Sequence, residues 1–314
     1  EIKNKIAKFC NVDTDAVIES IDVETIYEVP ILMKKQNLDD VVLKKLKVKN
    51  NRKADLKKWN KFLKTLNNPK KEINIAIVGK YVELKDAYKS ISESILHAGV
   101  YNFCKVNIKW IHSEKINKTN IKKHLNCIDG VIVAPGFGNR GVEGKIHTIK
   151  YVRENDIPFL GICLGMQCAV IEYARNVLNM KNANSTEMDI KTKYPVIDIM
   201  DDQKEIVKKG GTMRLGSYNC EISKKSLAYK AYKKQKIKER HRHRYEFNNK
   251  YKAKFNNKGM ITSGLNIKNN LVEIVELKNH KWFVGVQFHP EYKSTVDKPH
   301  PLFCSFIKTS IEKD

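Results

Sequence analysis

The chain has 314 residues, 41% hydrophobic and 30% charged, which is apolar material for one large core or two ordinary domains rather than a disordered polypeptide. Its 59 basic and 35 acidic residues leave a net charge of +24, yet 51 of the 59 are Lys scattered among many Asn, whereas phosphate and base recognition favours clustered, forked Arg. No nucleic-acid partner is therefore expected; the longest apolar stretch, 159–171, is too short and too interrupted to span a bilayer, and seven Cys without C-x-x-C spacing fit neither a disulfide framework nor a metal site.

The opening residues, EIKNKIAKFC, have alternating charge, no apolar h-region and no initiator Met, so a cytoplasmic protein truncated at its start is expected. Residues 1–50 read as a short helical tail, too small to stand alone. Residues 51–72 turn to Lys and Asn and read as a linker, with Trp59, Phe62 and Leu66 marking a tethered helix by their spacing. From 73 to 314 the pattern changes. Short apolar strands at 73–79 (INIAIVG), 104–111 (CKVNIKWI), 129–134 (DGVIVA) and 158–162 (PFLGI) alternate with helical runs at 86–99 and 142–155. Strand and helix in turn imply parallel βαβ units, hence an α/β fold with an open, doubly wound, mostly parallel sheet and helices on both faces. Strand-like runs at 260–264, 271–277 and 281–288 suggest an antiparallel extension.

Three motifs carry chemistry. Gly161-Ile162-Cys163-Leu164-Gly165 lies between the strand PFLGI and the helical run MQCAVIEYARNV, the setting of a nucleophile elbow with sulfur in place of oxygen. Its glycines suit a turn too tight for flanking side chains, and a thiol at a helix start beside an imidazole is activated as a thiolate. Gln287-Phe288-His289-Pro290-Glu291 follows the strand WFVGV. Residues two apart on an extended segment face one side, so Glu291 can grip the ring of His289 and fix its tautomer, completing a Cys–His–Glu triad. The loop Pro135-Gly136-Phe137-Gly138-Asn139-Arg140-Gly141 contains G-x-G-x-x-G, but it follows the third strand and Asp156 precedes its strand, so dinucleotide binding is not expected. Its N–H groups, with that of Leu164, can instead stabilise a tetrahedral oxyanion.

GICLGMQ, NANSTEMD, GGTMRLG, RHRYEFN and QFHPEYKS, in this order, resemble the class I glutamine amidotransferase (flavodoxin-like) domains of the CTP synthases. IAKFCNV, DVETIYEVP and NLDDVVLKKL resemble the end of the synthetase domain in that family, so the likeness covers nearly the whole chain. It implies Cys163 as nucleophile, His289 as general base and acid, and Glu291 as its orienting carboxylate. Gly136, Phe137 and Leu164 match the oxyanion positions. Gly136, Gln167, Glu187 and Arg244 match glutamine-binding positions, Glu187 suiting the α-amino group and Arg244 the α-carboxylate. Phe137 and Arg214 resemble positions near a GTP effector. The family further implies L-glutamine as substrate, no cofactor or metal for its hydrolysis, and ATP, Mg2+ and UTP in the synthetase domain that receives the ammonia. A homotetramer is implied for the full-length enzyme. Other readings are the glutaminase of a different amidotransferase such as a GMP synthase, a Cys hydrolase of γ-glutamyl substrates, and a catalytically silent scaffold. The family pattern P-G-G-F-G departs here to Ala134-Pro135-Gly136-Phe137-Gly138, and Pro135 removes one N–H from the loop.

Overall fold

The computed structural model describes residues 1–49, 52–199 and 213–312. Contacts divide the chain into two units, Glu1–Asn68 and Pro69–Asp314. The ends of the expected tail and linker at residues 50 and 51 lie outside the described residues.

Among its described residues the first unit holds four α-helices, α1 (Ile2–Cys10), α2 (Val29–Lys35), α3 (Leu38–Lys45) and α4 (Lys57–Asn67). α1 stops at Asn11, which takes the left-handed conformation (φ 52) that Asn tolerates at helix ends. α4 is the helix expected inside the linker. It is not merely tethered: Trp59 Nε1 donates to the Tyr27 carbonyl at 2.6 Å, and the Phe62 ring packs 4.9 Å from that of Tyr27. The spacing that marked the helix is thus its packing face.

The second unit runs β1 (Lys71–Gly79), α5 (Lys89–Tyr101), β2 (Cys104–His112), α6 (Ile121–His124), β3 (Gly130–Val133), α7 (Val142–Glu154), β4 (Phe159–Ile162) and α8 (Leu164–Asn176). It continues through β5 (Asn184–Ser185), β6 (Pro195–Ile199), β7 (Arg214–Ile222), α9 (Leu227–Tyr232), β8 (Lys236–His243), β9 (Tyr245–Phe247) and α10 (Lys252–Asn257). It ends with β10 (Met260–Asn266), β11 (Leu271–Leu277), β12 (Phe283–Val286) and α11 (Pro301–Ile311). Among the described residues nine strands form one sheet in the order β2-β1-β3-β4-β12-β11-β10-β7-β8, and β5-β6-β9 form a second, small one. The first five are parallel, with Ile77 beside both Trp110 and Ile132, and Leu160 beside Val284. From β11 onward the neighbours are antiparallel.

Both faces of the parallel half are buried, as its continuous apolar strands require. Ala76, Val78, Val131 and Val133 face a core shared with α7 and α8, while Ile75, Ile77, Ile132 and Leu160 face one shared with α5 and α11. The period-two alternation of side chains divides the two layers. The fold is the doubly wound sheet expected, with its antiparallel extension. The small sheet and the long β7–β8 pair were not foreseen. The inward positions of β8 are Ile237, Glu239, His241 and His243, mostly polar, so hydrophobic alternation gave no strand signal there.

Candidate active site

β4 enters α8 through Cys163, whose backbone holds φ 53 and ψ −104, a conformation costly for a side-chain-bearing residue. Its N–H donates to the Val286 carbonyl at 2.7 Å, tying the turn to β12. The glycines explain how so sharp a turn fits. A Cβ on Gly165 would lie 2.2 Å from the Val133 carbonyl oxygen, and one on Gly161 2.8 Å from the Gly165 carbonyl carbon. Cys163 is 3% exposed, with Gln287 Nε2 3.7 Å from its sulfur and the Arg242 carbonyl at 3.9 Å.

β12 stops at Val286, and the chain continues through Gln287 and Phe288 to His289. The His289 N–H donates to the Arg240 carbonyl of β8 at 2.8 Å, which fixes the imidazole against the sheet. His289 Nδ1 lies 2.7 Å from Glu291 Oε1. The contact is the one expected, but the route differs: Pro290 opens a short 3-10 turn, Pro290–Lys293, so Glu291 reaches the ring from a turn rather than from the same face of a strand. Ser94 of α5 steadies that turn by donating to the Glu291 carbonyl at 3.4 Å. Burial disfavours a charged ring at His289, but Cys163 and Glu291 outweigh it and raise the pKa to about 11. The proton is therefore held on the imidazole at neutral pH.

One recess is lined by Gly136, Phe137, Cys163, Gln167, Glu187, Met213, His243, Arg244 and Tyr245. It unites the expected nucleophile with every expected glutamine-binding residue. Leu164 is 1% exposed, and a Cβ on Gly136 would lie 3.5 Å from its Cδ2, so the loop and the start of α8 are in close apposition. Gln167 donates to the Tyr245 carbonyl at 2.8 Å and to Gln287 Oε1 at 3.1 Å. Glu187 accepts the Gly138 N–H at 2.8 Å. Arg244 is the single residue between β8 and β9, where the chain leaves the large sheet for the small one. It is half-buried at the recess, whereas its neighbours Arg240 and Arg242 are exposed on β8.

The two residues compared with effector positions differ in access. Phe137 is 45% exposed. The Arg214 side chain is only 4% exposed, 2.8 Å from Glu273 and stacked 4.3 Å over the Tyr218 ring. Residues 210–212 of the GGTMRLG motif lie outside the described residues. Beside Arg214, His241 Nδ1 is 3.0 Å from His243 Nε2. Burial, then the Arg214 charge, keeps both rings neutral, His243 being lowered to about 3. Burial raises Glu273 to about 7 against the opposing pull of Arg214.

Gln287, His243, Met213 and Tyr245 line the site or touch its thiol, yet sequence reasoning gave them no role. All four stood inside quoted motifs, but nothing local distinguished them from their neighbours. Among the described residues there is no group of three His, Cys, Asp or Glu able to hold a metal ion.

The chain is similar to proteins already known. A model of class I glutamine amidotransferases matches residues 83–309, and one of the CTP synthase N-terminus matches residues 1–48. The CTP synthases of Christiangramia forsetii and Cytophaga hutchinsonii are each 59% identical to the chain over 99% of its length, covering 57% and 58% of their own. The chain thus spans little more than half of these relatives. The solved glutaminase domain of the Trypanosoma brucei enzyme, with bound acivicin, matches with a TM-score of 0.72 and 38% identity, over 77% of this chain and 95% of that one.

Proposed function

The chain belongs to the class I glutamine amidotransferases, in their CTP synthase branch, and from that membership we propose that residues 73–314 hydrolyse L-glutamine to glutamate and ammonia. The observation that carries this is one recess holding a strained Cys at a helix start together with Glu187 and Arg244, with a His289–Glu291 pair joined at 2.7 Å. Glutamine is a zwitterion with a neutral amide. Arg244 suits its carboxylate through two parallel N–H bonds, and Glu187 suits its ammonium. Gln167 lines the same wall.

In this mechanism the Cys163 sulfur attacks the side-chain amide carbon, and the oxygen takes up the negative charge. The N–H groups of Gly136, Phe137 and Leu164 stabilise that charge. His289 delivers its proton to the amide nitrogen, the C–N bond breaks, and ammonia leaves behind a glutamyl thioester. Water adds to the thioester as His289 accepts its proton, and the product departs as the Cys163 thiolate is restored beside the imidazolium, its new carboxyl ionising to give glutamate. Pro135 supplies no donor, so the loop contributes two N–H groups.

The ATP-, Mg2+- and UTP-dependent formation of CTP is proposed for the full-length protein, with residues 1–50 as the end of its synthetase domain, 51–72 as the connection and a homotetramer as the assembly. The match of residues 1–48 supports this over a GMP synthase. For GTP, Phe137 is the accessible contact; Arg214 takes part through its buried partners. A cytoplasmic location is proposed from the seven unpaired thiols, and no helix among the described residues is long and apolar enough to cross a membrane.

The test is intact-mass labelling with a glutamine-mimicking diazo-ketone, comparing the chain with Cys163→Ala. A single adduct, blocked by glutamine and lost in the variant, is expected. Labelling elsewhere, or none, overturns the reading and brings the silent scaffold forward.

A further inference from the structure

Two lysines stand behind the oxyanion loop where a solvated face would ordinarily carry them outward. Lys145, on α7, is fully buried, and its Nζ donates to the Ala134 carbonyl at 2.7 Å. Lys80, just after β1, is 8% exposed and donates to the Phe137 carbonyl. A Cβ on Gly136 would lie 3.5 Å from Lys80 Cε and 3.8 Å from Lys145 Nζ, so both chains lie close against one short stretch of loop.

The order of these contacts along the backbone is informative. Lys145 holds the carbonyl of the Ala134–Pro135 peptide. The Phe137–Gly138 peptide is held at both ends, its carbonyl by Lys80 and its N–H by Glu187. Between these two fixed peptide planes lie two others, and their N–H groups belong to Gly136 and Phe137. Neither N–H makes a hydrogen bond among the described residues. Because a peptide unit is planar, fixing the planes on each side restricts how far the two between can rotate. Burying an ammonium is costly unless it is well bonded, and here each bond goes to the loop. Burial, with Lys80 nearby, lowers Lys145 to about 8 against the opposing influence of Cys168 and Cys163.

We propose that Lys80 and Lys145 are positioning residues that clamp the loop on both sides of its two oxyanion donors, holding the Gly136 and Phe137 N–H groups toward the Cys163 recess. The clamp compensates for Pro135, which leaves the loop no third donor to share the load. The inference rests on the glutaminase reading above. Neither lysine lines the recess, so on this proposal each acts on the transition state rather than on glutamine binding.

The test uses Lys80→Met and Lys145→Met in the whole chain, with glutamine hydrolysis, iodoacetamide alkylation of Cys163 and thermal melting as readouts. A misplaced donor slows chemistry more than binding, so each variant is expected to lose about tenfold or more in kcat with KM within about threefold. Alkylation, which uses no oxyanion donor, is expected to stay within about twofold. Lys145→Gln, which keeps an N–H for the Ala134 carbonyl, is expected to recover part of the loss. A folded variant of either lysine with more than about half the wild-type kcat overturns the clamp, as does a rise in KM that accounts for the whole effect. Should Lys145→Met fail to fold, Lys80→Met, nearer the surface, decides by the same criteria. A wild-type chain that neither hydrolyses glutamine nor takes the diazo-ketone overturns the glutaminase reading and the clamp with it; active variants beside an active wild type overturn the clamp alone.

Discussion

His289 and Glu291 are separated by a single proline, and their 2.7 Å bond joins the residue that caps a short turn to one within it, three to five residues beyond the end of β12. The bond serves both orientation and charge: it holds Nδ1 to the carboxylate and leaves Nε2 as the nitrogen that serves Cys163. A base whose second nitrogen is so occupied has one tautomer to offer.

Glu291→Gln preserves the shape and removes the charge. The ring then loses part of what raises its pKa above 6.5. Because leaving-group protonation needs the imidazolium, the alkaline limb of kcat is expected to move to lower pH. The loss in kcat is expected to be about 10²-fold or more. The stabilising effect of a raised His pKa is complete below pH 6.5 and fades as pH climbs toward the folded value near 11, so the variant's deficit in melting temperature should shrink in alkali. A pH–rate profile and melts across that range check both parts.

Gly165→Ala tests the elbow rather than the chemistry. Its Cβ would meet the Val133 carbonyl oxygen at 2.2 Å and the carbonyl carbon at 3.1 Å, and backbone there cannot swing aside as the end of a side chain could. A loss of about 3 kcal/mol or more in unfolding free energy is expected, measured by urea titration.

Arg244→Lys keeps the charge and loses the planar fork. If Arg244 clasps the α-carboxylate, KM for glutamine rises about tenfold or more while kcat changes less. Steady-state kinetics on purified variant and parent separate the two.

Glu273 gives a stability signature of the same sign as His289 but in a lower pH window, because its pKa is raised by burial of the carboxyl rather than by charged partners. Its folded carboxyl, raised to about 7 by burial, keeps its proton where an unfolded one, at 4.5, has lost it. The folded chain therefore binds more protons between those values, and this group's contribution falls as pH rises from 4.5 through 7. Glu273→Gln is expected to flatten that part of the stability curve, read from melts at fixed ionic strength.

Much of this was legible in the sequence for local reasons. The elbow announces itself because two glycines, a strand and a helix must all be adjacent for it to form. The carboxylate partner of His289 sits two residues away. Glu187 and Arg244 were reached only through family resemblance, since nothing in their neighbourhood says that residues 57 apart in the chain will line one recess. Lys145 is the instructive failure. A Lys on a helix reads as solvated, and its burial depends on a loop eleven residues earlier and on the start of α8. The Arg214–Glu273 pair was illegible for a similar reason: the two partners stand on strands two places apart in the sheet.

The passage of β8 into β9 sets a rule for how this domain can change in length. Along β8 every second residue is buried, and the count from Ile237 to His243 delivers Arg244 to the corner where the large sheet gives way to the small one. Removing or adding one residue within 236–243 would exchange the faces of the strand, burying arginines, exposing His241 and His243, and presenting a different side chain at the corner. Residues 267–270, between β10 and β11, carry no such phase, because a loop there can lengthen without changing which face any strand presents. Insertions and deletions should therefore be accepted in that loop and rejected in the strand, even though neither segment contains the nucleophile.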